Sequence, residues 1–330
     1  MVQGQITKIH SDFYYVLSNN DLFECKLREV LKKQQKKICV GDYVEIDNGY
    51  ITQQLPRKNF IQRPSVANID QIVIVSAIEE PHLDFHQLDR YIVFGEYFGI
   101  DIKLCFNKND LTKNDEVIEK IFSIYEPMGY DIVFTSALEK LGIEDFKEIM
   151  EGKTSVLCGS SGVGKSSLLN ALNPDFQLKT KTISEKTGRG THTTRHCEIL
   201  PISDNTRIID TPGFSNLKFD FLLPWDVAKL FKDIKPYLGN CKYQNCLHIL
   251  ESECEVKNNL DNIATSRYES YTEFVEEAKE YKEKIKYEGK KRETFEKQHY
   301  NKTAVKISSQ KRQGSRRTMK QQIDFELEEE

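Results

Sequence analysis

One glycine-rich segment constrains the fold of this chain more than any other feature. Residues 159–166 read G-S-S-G-V-G-K-S and fit the pattern G-x-x-x-x-G-K-[ST]. The apolar run 155–158 precedes the segment, and an apolar, helix-forming stretch at 168–172 follows it. In this strand–loop–helix context, backbone N–H groups and the helix N-terminus attract phosphate charge. We therefore predict a nucleoside triphosphate site rather than a chance glycine loop. Its predicted contacts are Gly159, Ser160, Ser161, Gly162, Val163, Gly164, Lys165, Ser166 and Ser167.

Two residues of this loop and a tetrapeptide further along the chain suit the binding of a triphosphate and Mg²⁺. Lys165 is expected to reach the β- and γ-phosphates, and the Ser166 hydroxyl is expected to bind Mg²⁺. Residues 210–213 read D-T-P-G after the apolar pair 208–209. Asp210 would hold Mg²⁺ through water, and the Gly213 N–H would sense the γ-phosphate. Alone this tetrapeptide is an ordinary turn, but its place at a strand end downstream of a phosphate loop favours the functional interpretation.

A second tetrapeptide indicates the base. Residues 107–110 read N-K-N-D after the apolar run 104–106 and match the N-K-x-D motif of guanine recognition. Asp110 can accept hydrogen bonds from guanine N1–H and the amino group, whereas adenine presents a mismatched edge. The T-S-A run at 135–137 supplies a loop whose backbone would contact the guanine oxygen. The pair favours GTP over ATP. The predicted base contacts are Asn107, Lys108, Asn109, Asp110, Ser136 and Ala137.

The order of these motifs indicates a circular permutation. In most GTPases the phosphate loop comes first, but here the base motifs at 107 and 136 precede the loop at 159. Apolar strand-like runs alternate with helical stretches at 83–98 and 113–127, which predicts a mostly parallel sheet with ligands at the carboxyl ends of its strands. The permuted order also leads the chain directly from residue 213 into its C-terminal region.

A long polar stretch at 174–196 lies where the first switch of a GTPase should be, and loops of this length are usually functional or disordered. It contains G-R-G-T-H-T-T-R at 188–195. Thr193 is the favoured Mg²⁺ ligand, with Thr194 next. Because Phe214 replaces the glutamine that orients water in many GTPases, His192 is the candidate for positioning the nucleophile. The alternative is a polar loop histidine that contacts RNA.

Three cysteines and one histidine cluster near the C-terminus. Cys241, Cys246, His248 and Cys254 lie within fourteen residues. Thiolates and imidazole in such a set suit a structural Zn²⁺, and four unrelated buried groups are the alternative. The other five cysteines, Cys25, Cys39, Cys105, Cys158 and Cys197, lie in or beside apparent strands and are interpreted as core residues.

The N-terminal residues have the pattern of a small β-barrel. Short segments near 4–10, 13–18, 22–28, 42–47 and 50–55 are bounded by turn residues, and Asn48-Gly49 suits a two-residue hairpin. About five strands in some 60 residues fit an OB-fold, with an SH3-like barrel as the alternative. The lysine-rich stretch 32–37 is predicted to form a loop on this barrel.

Composition and charge limit the class of protein. The chain has 330 residues, a net charge of −4 and no run of about 18 apolar residues that would span a membrane. Without an evident secretory signal, eight cysteines indicate a reducing compartment, and a cytoplasmic location is expected. Residues 302–322 hold seven basic groups and no acidic one. With the barrel lysines they suggest RNA contacts, although solvation alone explains such a tail equally well.

Taken in order, these motifs resemble the ribosome small-subunit-dependent GTPase family, RsgA, also called YjeQ. The resemblance implies an OB-fold, a circularly permuted GTPase domain and a C-terminal zinc domain. It also implies GTP hydrolysis that small-subunit binding stimulates, late in maturation of that subunit, and a catalytic role for His192. The implied partners are GTP and GDP, the 30S subunit and its 16S rRNA, with Mg²⁺ and one Zn²⁺ as cofactors. A membrane partner is not expected, and a monomer is expected.

The predicted architecture is α/β with four parts. They are an OB-fold RNA-binding barrel at 1–65, a permuted P-loop GTPase domain at 66–217, a mostly helical zinc-binding domain at 218–300 and a charged tail at 301–330.

Two other functions remain open. One is a permuted GTPase of large-subunit assembly, and the other is a nucleotide-gated RNA-binding module whose turnover is incidental.

Overall fold

The N-terminal strands close into a five-stranded barrel. In this computed structural model the described residues are 2–33, 37–112, 115–178, 197–203, 205–211, 217, 219 and 221–287. The barrel strands are β1 (Val2–His10), β2 (Phe13–Ser18), β3 (Asp21–Leu27), β4 (Tyr43–Asp47) and β5 (Tyr50–Gln54). Their order is β1-β2-β3-β5-β4, and β4 pairs back with β1. This closed arrangement is the predicted OB-like barrel.

One local prediction for the barrel was wrong at residues 32 and 33. The short helix α1 (Glu29–Lys33) occupies the start of the stretch that we predicted as a lysine-rich loop. Leu31 packs into the barrel core from this helix and is 7% exposed, which gives the helix an anchor that a solvated loop would lack. Residues 34–36 lie outside the described part of the chain.

The central sheet has the predicted α/β pattern. Its strands are β8 (Gln71–Ala77), β9 (Asp101–Asn107), β10 (Asp131–Phe134), β11 (Thr154–Cys158), β12 (Glu198–Pro201) and β13 (Arg207–Asp210), while β6 (Phe60–Ile61) and β7 (Val66–Ala67) form a separate pair. The order is β10-β9-β8-β11-β13-β12, and every neighbouring pair except β13–β12 is parallel. The carboxyl ends of the parallel strands therefore share one edge.

The barrel and the central sheet are joined through a strand pairing that the sequence did not suggest. Strand β12 pairs antiparallel with β1 at Lys8 and Glu198, so the two sheets run on as one. The Lys8 ammonium lies 3.0 Å from both oxygens of Glu198. Both side chains are about two-fifths exposed, so this pair contributes little beyond the register that it marks.

Helices cover both faces of the central sheet. They are α2 (Phe85–Phe98), α3 (Asp115–Tyr125), α4 (Ile143–Glu148) and α5 (Lys165–Leu172), followed in the C-terminal region by α6 (Pro224–Val227), α7 (Glu255–Asn258) and α8 (Thr265–Tyr287). Alternate residues of β8 face opposite layers. Ile72 and Ile74 pack with α2, whereas Val73 and Val75 pack with α4 and α5. Among the described helices, none has the length and apolar character to cross a bilayer.

The C-terminal region packs against the outer side of α2. Tyr271 and Phe274 of α8 are fully buried in its core together with Phe231 and with Val93 of α2. Residues up to Lys284 belong to one compact unit.

A buried ion cluster fixes α8 to the α2 side of the sheet. Arg267 is fully buried, and its guanidinium lies 2.7 Å from Asp89 and 3.0 Å from Asp233. Tyr125 donates a hydrogen bond of 2.9 Å to Asp89 as well. Burial alone would lower the pKa of Arg267, and Asp89 and Asp233 together raise it above its ordinary value. The guanidinium therefore stays charged, and its two carboxylate partners offset its desolvation.

Replacement of Arg267 is expected to destabilise the fold severely. In Arg267→Ala, Asp89 would remain buried without its cation, which costs about 3–5 kcal/mol of unfolding free energy. Lys229 supplies a matched control, because its exposed pair with Asp226 should be worth less than about 1 kcal/mol in Lys229→Ala. Urea denaturation measures both variants. Equal midpoints for the two would contradict the role given to the buried cluster.

Candidate nucleotide site and Cys/His centre

The glycine-rich loop lies between a buried strand and a helix. Strand β11 is buried at all five positions, and α5 begins at Lys165. Gly159 has a φ of +144°, and a Cβ there would lie 2.0 Å from the Val75 oxygen. Gly164 has a φ of +94°, and a Cβ there would lie 2.2 Å from Nδ2 of Asn107. Only glycine fits at these two positions, so the loop can approach β8 at Val75 and β9 at Asn107 closely.

The Asn107 side chain connects three of the predicted motifs. Asn107 ends β9 and is 1% exposed. Its Nδ2 donates to the Val163 carbonyl of the glycine-rich loop at 2.8 Å. Its Oδ1 accepts from the Thr135 hydroxyl at 3.2 Å and from the Ala137 N–H at 3.1 Å. One buried amide thus satisfies groups from the glycine-rich loop and from the loop after β10.

Backbone hydrogen bonds fix the two base-side loops to each other. The Asn109 N–H donates to the Thr135 carbonyl at 3.0 Å, and the Thr135 N–H donates to the Phe106 carbonyl at 2.8 Å. Lys108 has a φ of +63°, and its ammonium donates to the carbonyl of Glu80. Burial lowers the pKa of Lys108, while Glu80 and Asp110 raise it less. Asp110 follows in an exposed position.

Lys165 places its charge inside the loop. Its ammonium donates to the carbonyls of Gly159 and Ser160 at 2.7 and 2.8 Å. Burial lowers the pKa of Lys165, and Cys158 and Asp210 act in the opposite direction. Asp210 is the last residue of β13. Because β13 is the parallel neighbour of β11, Asp210 lies at the same sheet edge as the loop.

The structure thus brings most predicted nucleotide residues to one edge. Residues 107–110, 136–137, 159–167 and 210 all follow, or lie at, the carboxyl ends of neighbouring parallel strands. Their backbone and side chains offer N–H donors, ammonium groups, hydroxyls and carboxylates for a nucleotide and a hard cation. His192, Thr193 and Gly213 lie outside the described residues.

Sequence reasoning did not identify Tyr91 as a neighbour of this site. The Tyr91 hydroxyl on α2 lies 3.4 Å from Oγ of Ser160, and the ring is 1% exposed. Burial raises its pKa, so the hydroxyl keeps its proton. The amphipathic pattern of 83–98 predicts a helix with Tyr91 on its apolar side, but no local pattern reveals which loop the hydroxyl reaches.

The four predicted metal ligands converge. The ligand atoms of Cys241, Cys246, His248 and Cys254 all lie within 4.8 Å of one another. Nδ1 of His248 lies 3.4 Å from the sulfurs of both Cys241 and Cys254. Three sulfurs and one imidazole nitrogen form a donor set that suits a soft or borderline transition metal. Cys25, Cys39, Cys105 and Cys158 are buried elsewhere, and Cys197 is partly buried.

Hydrogen bonds to the backbone hold the loop of this Cys/His centre. The hydroxyls of Tyr268 and Tyr271 on α8 donate to the carbonyls of His248 and Leu247, each at 2.7 Å. The Glu251 carboxylate accepts from three N–H groups, those of Leu247, Ile249 and Leu250. Burial raises the pKa of Cys246 to about 12 and lowers the pKa of His248. A bound cation would therefore have to stabilise the deprotonated thiolates over the protonated thiols.

Comparison with known proteins identifies the family. A family model described as RsgA GTPase matches residues 54–220, and one described as RsgA N-terminal domain matches residues 3–52. A third, described as 50S ribosome-binding GTPase, matches residues 154–289. The proteins named small ribosomal subunit biogenesis GTPase RsgA from Alkaliphilus metalliredigens (strain QYMF) and Geobacillus sp. (strain WCH70) are 40% and 42% identical over 288 and 291 residues. These matches cover 84% and 86% of this chain, and 98% and 99% of the relatives.

Solved structures agree with these matches. The crystal structure of YjeQ from Thermotoga maritima has a TM-score of 0.73 and 34% identity, over 84% of this chain and 98% of that one. The structure of YloQ, described as a circularly permuted GTPase, has a TM-score of 0.70 and 32% identity, over 85% of this chain and 96% of that one. Sequence, motif order and fold therefore lead to one conclusion: the chain belongs to the RsgA family of circularly permuted GTPases.

Proposed function

We propose that this chain hydrolyses GTP to GDP and phosphate on the maturing 30S subunit and that the subunit stimulates the reaction. The names of its relatives support the choice of subunit. The observation that carries the proposal is the Asn107 amide, which holds the base-side loops and the glycine-rich loop in one arrangement. A site so constructed suits a guanine nucleotide, with the base near Asp110 and the phosphates near Lys165.

Hydrolysis at this site would depend on positioning and on electrostatics. The backbone N–H groups of residues 159–167 would cradle the phosphates, and the Lys165 ammonium would exchange its two loop carbonyls for phosphate oxygens. Asp110 would select guanine, with the Lys108 stem against the base. The backbone around Ser136 and Ala137 would contact the guanine oxygen. These groups would stabilise negative charge as the phosphoryl group transfers.

The oxygen donors around the loop fit a Mg²⁺ ion. Ser166 is the second residue of α5, next to Lys165, and Asp210 ends β13 at the same sheet edge, so hard donors are placed where the phosphates would end. We assign Ser166 and Thr193 as its ligands, with Asp210 acting through water and the Gly213 N–H near the γ-phosphate. When bound, Mg²⁺ would neutralise charge on the phosphate oxygens.

We assign a structural Zn²⁺ to Cys241, Cys246, His248 and Cys254, because four protein ligands leave no open position for chemistry.

The remaining assignments follow the predicted parts of the chain. They are an RNA-binding barrel at 1–65, the GTPase domain at 66–217, the zinc-binding domain at 218–300 and a charged tail at 301–330. The protein would act as a monomer in the cytoplasm, with 16S rRNA as its ligand on the subunit.

Steady-state GTP hydrolysis with purified ribosomal subunits tests the proposed partner. We expect 30S subunits to raise the rate of the full chain and 50S subunits to leave it unchanged, with Lys165→Ala inactive in both arms. Stimulation by 50S subunits alone would contradict the choice of subunit and favour large-subunit assembly. Turnover that neither subunit changes would favour an RNA-binding module with incidental hydrolysis.

His192→Ala is expected to separate turnover from binding. A residue that orients the nucleophile contributes about 10²-fold or more to the rate, whereas nucleotide affinity comes from the glycine-rich loop and the base motif. We therefore expect kcat for GTP to fall and the dissociation constant for GDP to stay the same. An unchanged kcat would assign His192 to the surface of the loop instead.

Purified protein is expected to contain one Zn²⁺ per chain, and Cys246→Ser is expected to lose it. The thiols must lose their protons to bind Zn²⁺, and burial raises the pKa of Cys246 to about 12. The affinity for Zn²⁺ should therefore rise with pH. Chelator competition at pH 6 and pH 8 would measure this change. Cys197→Ser, a partly buried thiol outside the cluster, is the control. Full zinc content in Cys246→Ser would contradict the assignment.

A further inference from the structure

Arg90 of α2 lies where three parts of the fold meet. Its side chain is 14% exposed, and its Nη1 lies 2.6 Å from Oε2 of Glu277 on α8. The same nitrogen lies 3.4 Å from the carbonyl of Leu217, which belongs to the chain that leaves β13. The guanidinium also lies over the rings of Phe219 and Phe274, 4.9 and 4.7 Å from their centroids. Arg90 thus contacts α8 and the segment beyond Asp210 together.

Glu277 completes the contact from the side of α8. Its Oε2 is occupied by Arg90, and its Oε1 accepts the N–H of Phe219 at 3.0 Å. The carboxylate is 30% exposed, so its pair with Arg90 is only partly screened by water. Two backbone groups, at Leu217 and at Phe219, are therefore held by one ion pair. We call this set, formed by Arg90, Leu217, Phe219 and Glu277, the 217–219 anchor.

The anchor lies close in sequence and in structure to the nucleotide residues. Phe219 follows the proposed Mg²⁺-associated Asp210 by nine residues. Tyr91, the residue after Arg90, places its hydroxyl 3.4 Å from Oγ of Ser160 in the glycine-rich loop. Helix α2 therefore contacts the phosphate side of the site through one side chain and the chain beyond Asp210 through its neighbour.

We propose that Arg90 and Glu277 are positioning residues of the GTPase, which act by holding the backbone at Leu217 and Phe219. The proposal rests on the nucleotide site proposed above. A reaction that depends on positioned groups proceeds in proportion to the fraction of molecules in which those groups are correctly placed around the substrate. Loss of the 217–219 anchor would lower that fraction. Nucleotide binding would be spared, because the glycine-rich loop and the base motif supply it.

Glu277→Gln tests the positioning role, and its neighbour provides the control. The amide keeps the shape of Glu277 and an acceptor for Phe219 but loses the charge that Arg90 pairs with. We expect kcat for GTP to fall by about 3- to 30-fold, with KM and the affinity for GDP unchanged. Glu276→Gln, on the same helix and paired with Lys279 at the surface, should leave kcat within about twofold of the wild type.

A second variant keeps the proposal testable if Glu277→Gln does not fold. Arg90→Lys keeps the positive charge but removes the planar fork, so it should also lower kcat alone. Because the two residues act as a unit, Arg90→Lys/Glu277→Gln should be no slower than the slower single variant. Melting curves of all variants check that they remain folded.

The results distinguish this role from the proposed function. If the wild-type chain hydrolyses GTP and Glu277→Gln matches its kcat, the positioning role is wrong and the nucleotide site stands. A proportional loss of kcat and GDP affinity would also contradict it, since that result indicates general damage to the site. If the wild-type chain shows no GTP turnover, the proposed function fails and the positioning role fails with it.

Discussion

The buried amide of Asn107 is the interaction on which the nucleotide site depends. A buried amide must satisfy both its donor and its acceptor, and here the donor and the acceptor bond to different loops. Nδ2 bonds to Val163 of the glycine-rich loop, and Oδ1 bonds to Thr135 and Ala137 on the base side. Gly164 leaves room for this amide, because a Cβ would lie 2.2 Å from Nδ2. One side chain therefore joins the loops of the proposed base site to the glycine-rich loop.

Circular permutation leaves this arrangement intact and changes the connection that the chain makes after β13. The parallel strands keep the order β10-β9-β8-β11-β13, so the base loops and the glycine-rich loop meet at one sheet edge although their order along the chain is reversed. The chain beyond β13 then enters the C-terminal region, which packs on α2 through Arg267, Asp89 and the 217–219 anchor. Helix α8 in turn holds the loop of the Cys/His centre through Tyr268 and Tyr271. The nucleotide site and the Cys/His centre are thus connected through two helices.

Local spacing made the site predictable, and long-range pairing limited what else could be inferred. Residues close in sequence form each of three motifs, the glycine-rich loop, the N-K-N-D motif and the Cys/His cluster. These motifs could therefore be recognised from the sequence. The barrel strands were predictable from alternation, although α1 was missed because the burial of Leu31 depends on the closed barrel. The ion pair of Arg267 with Asp89 joins residues 178 positions apart, and the pairing of Lys8 with Glu198 joins residues 190 apart. Such contacts depend on the complete topology and leave no local pattern.

The most direct test of this account is the nucleotide preference of Asp110→Asn. An asparagine at this position carries one acceptor and one donor group, so it would keep at most one of the two hydrogen bonds to guanine and could donate to the 2-oxo group of xanthine. If Asn107 holds Asp110 at the base, the dissociation constant for GDP should rise on the order of 10²-fold or more, and xanthosine diphosphate should bind more tightly than it does to the wild type. Unchanged GDP affinity, or an equal loss for both nucleotides, would contradict the claim that Asp110 reads the base.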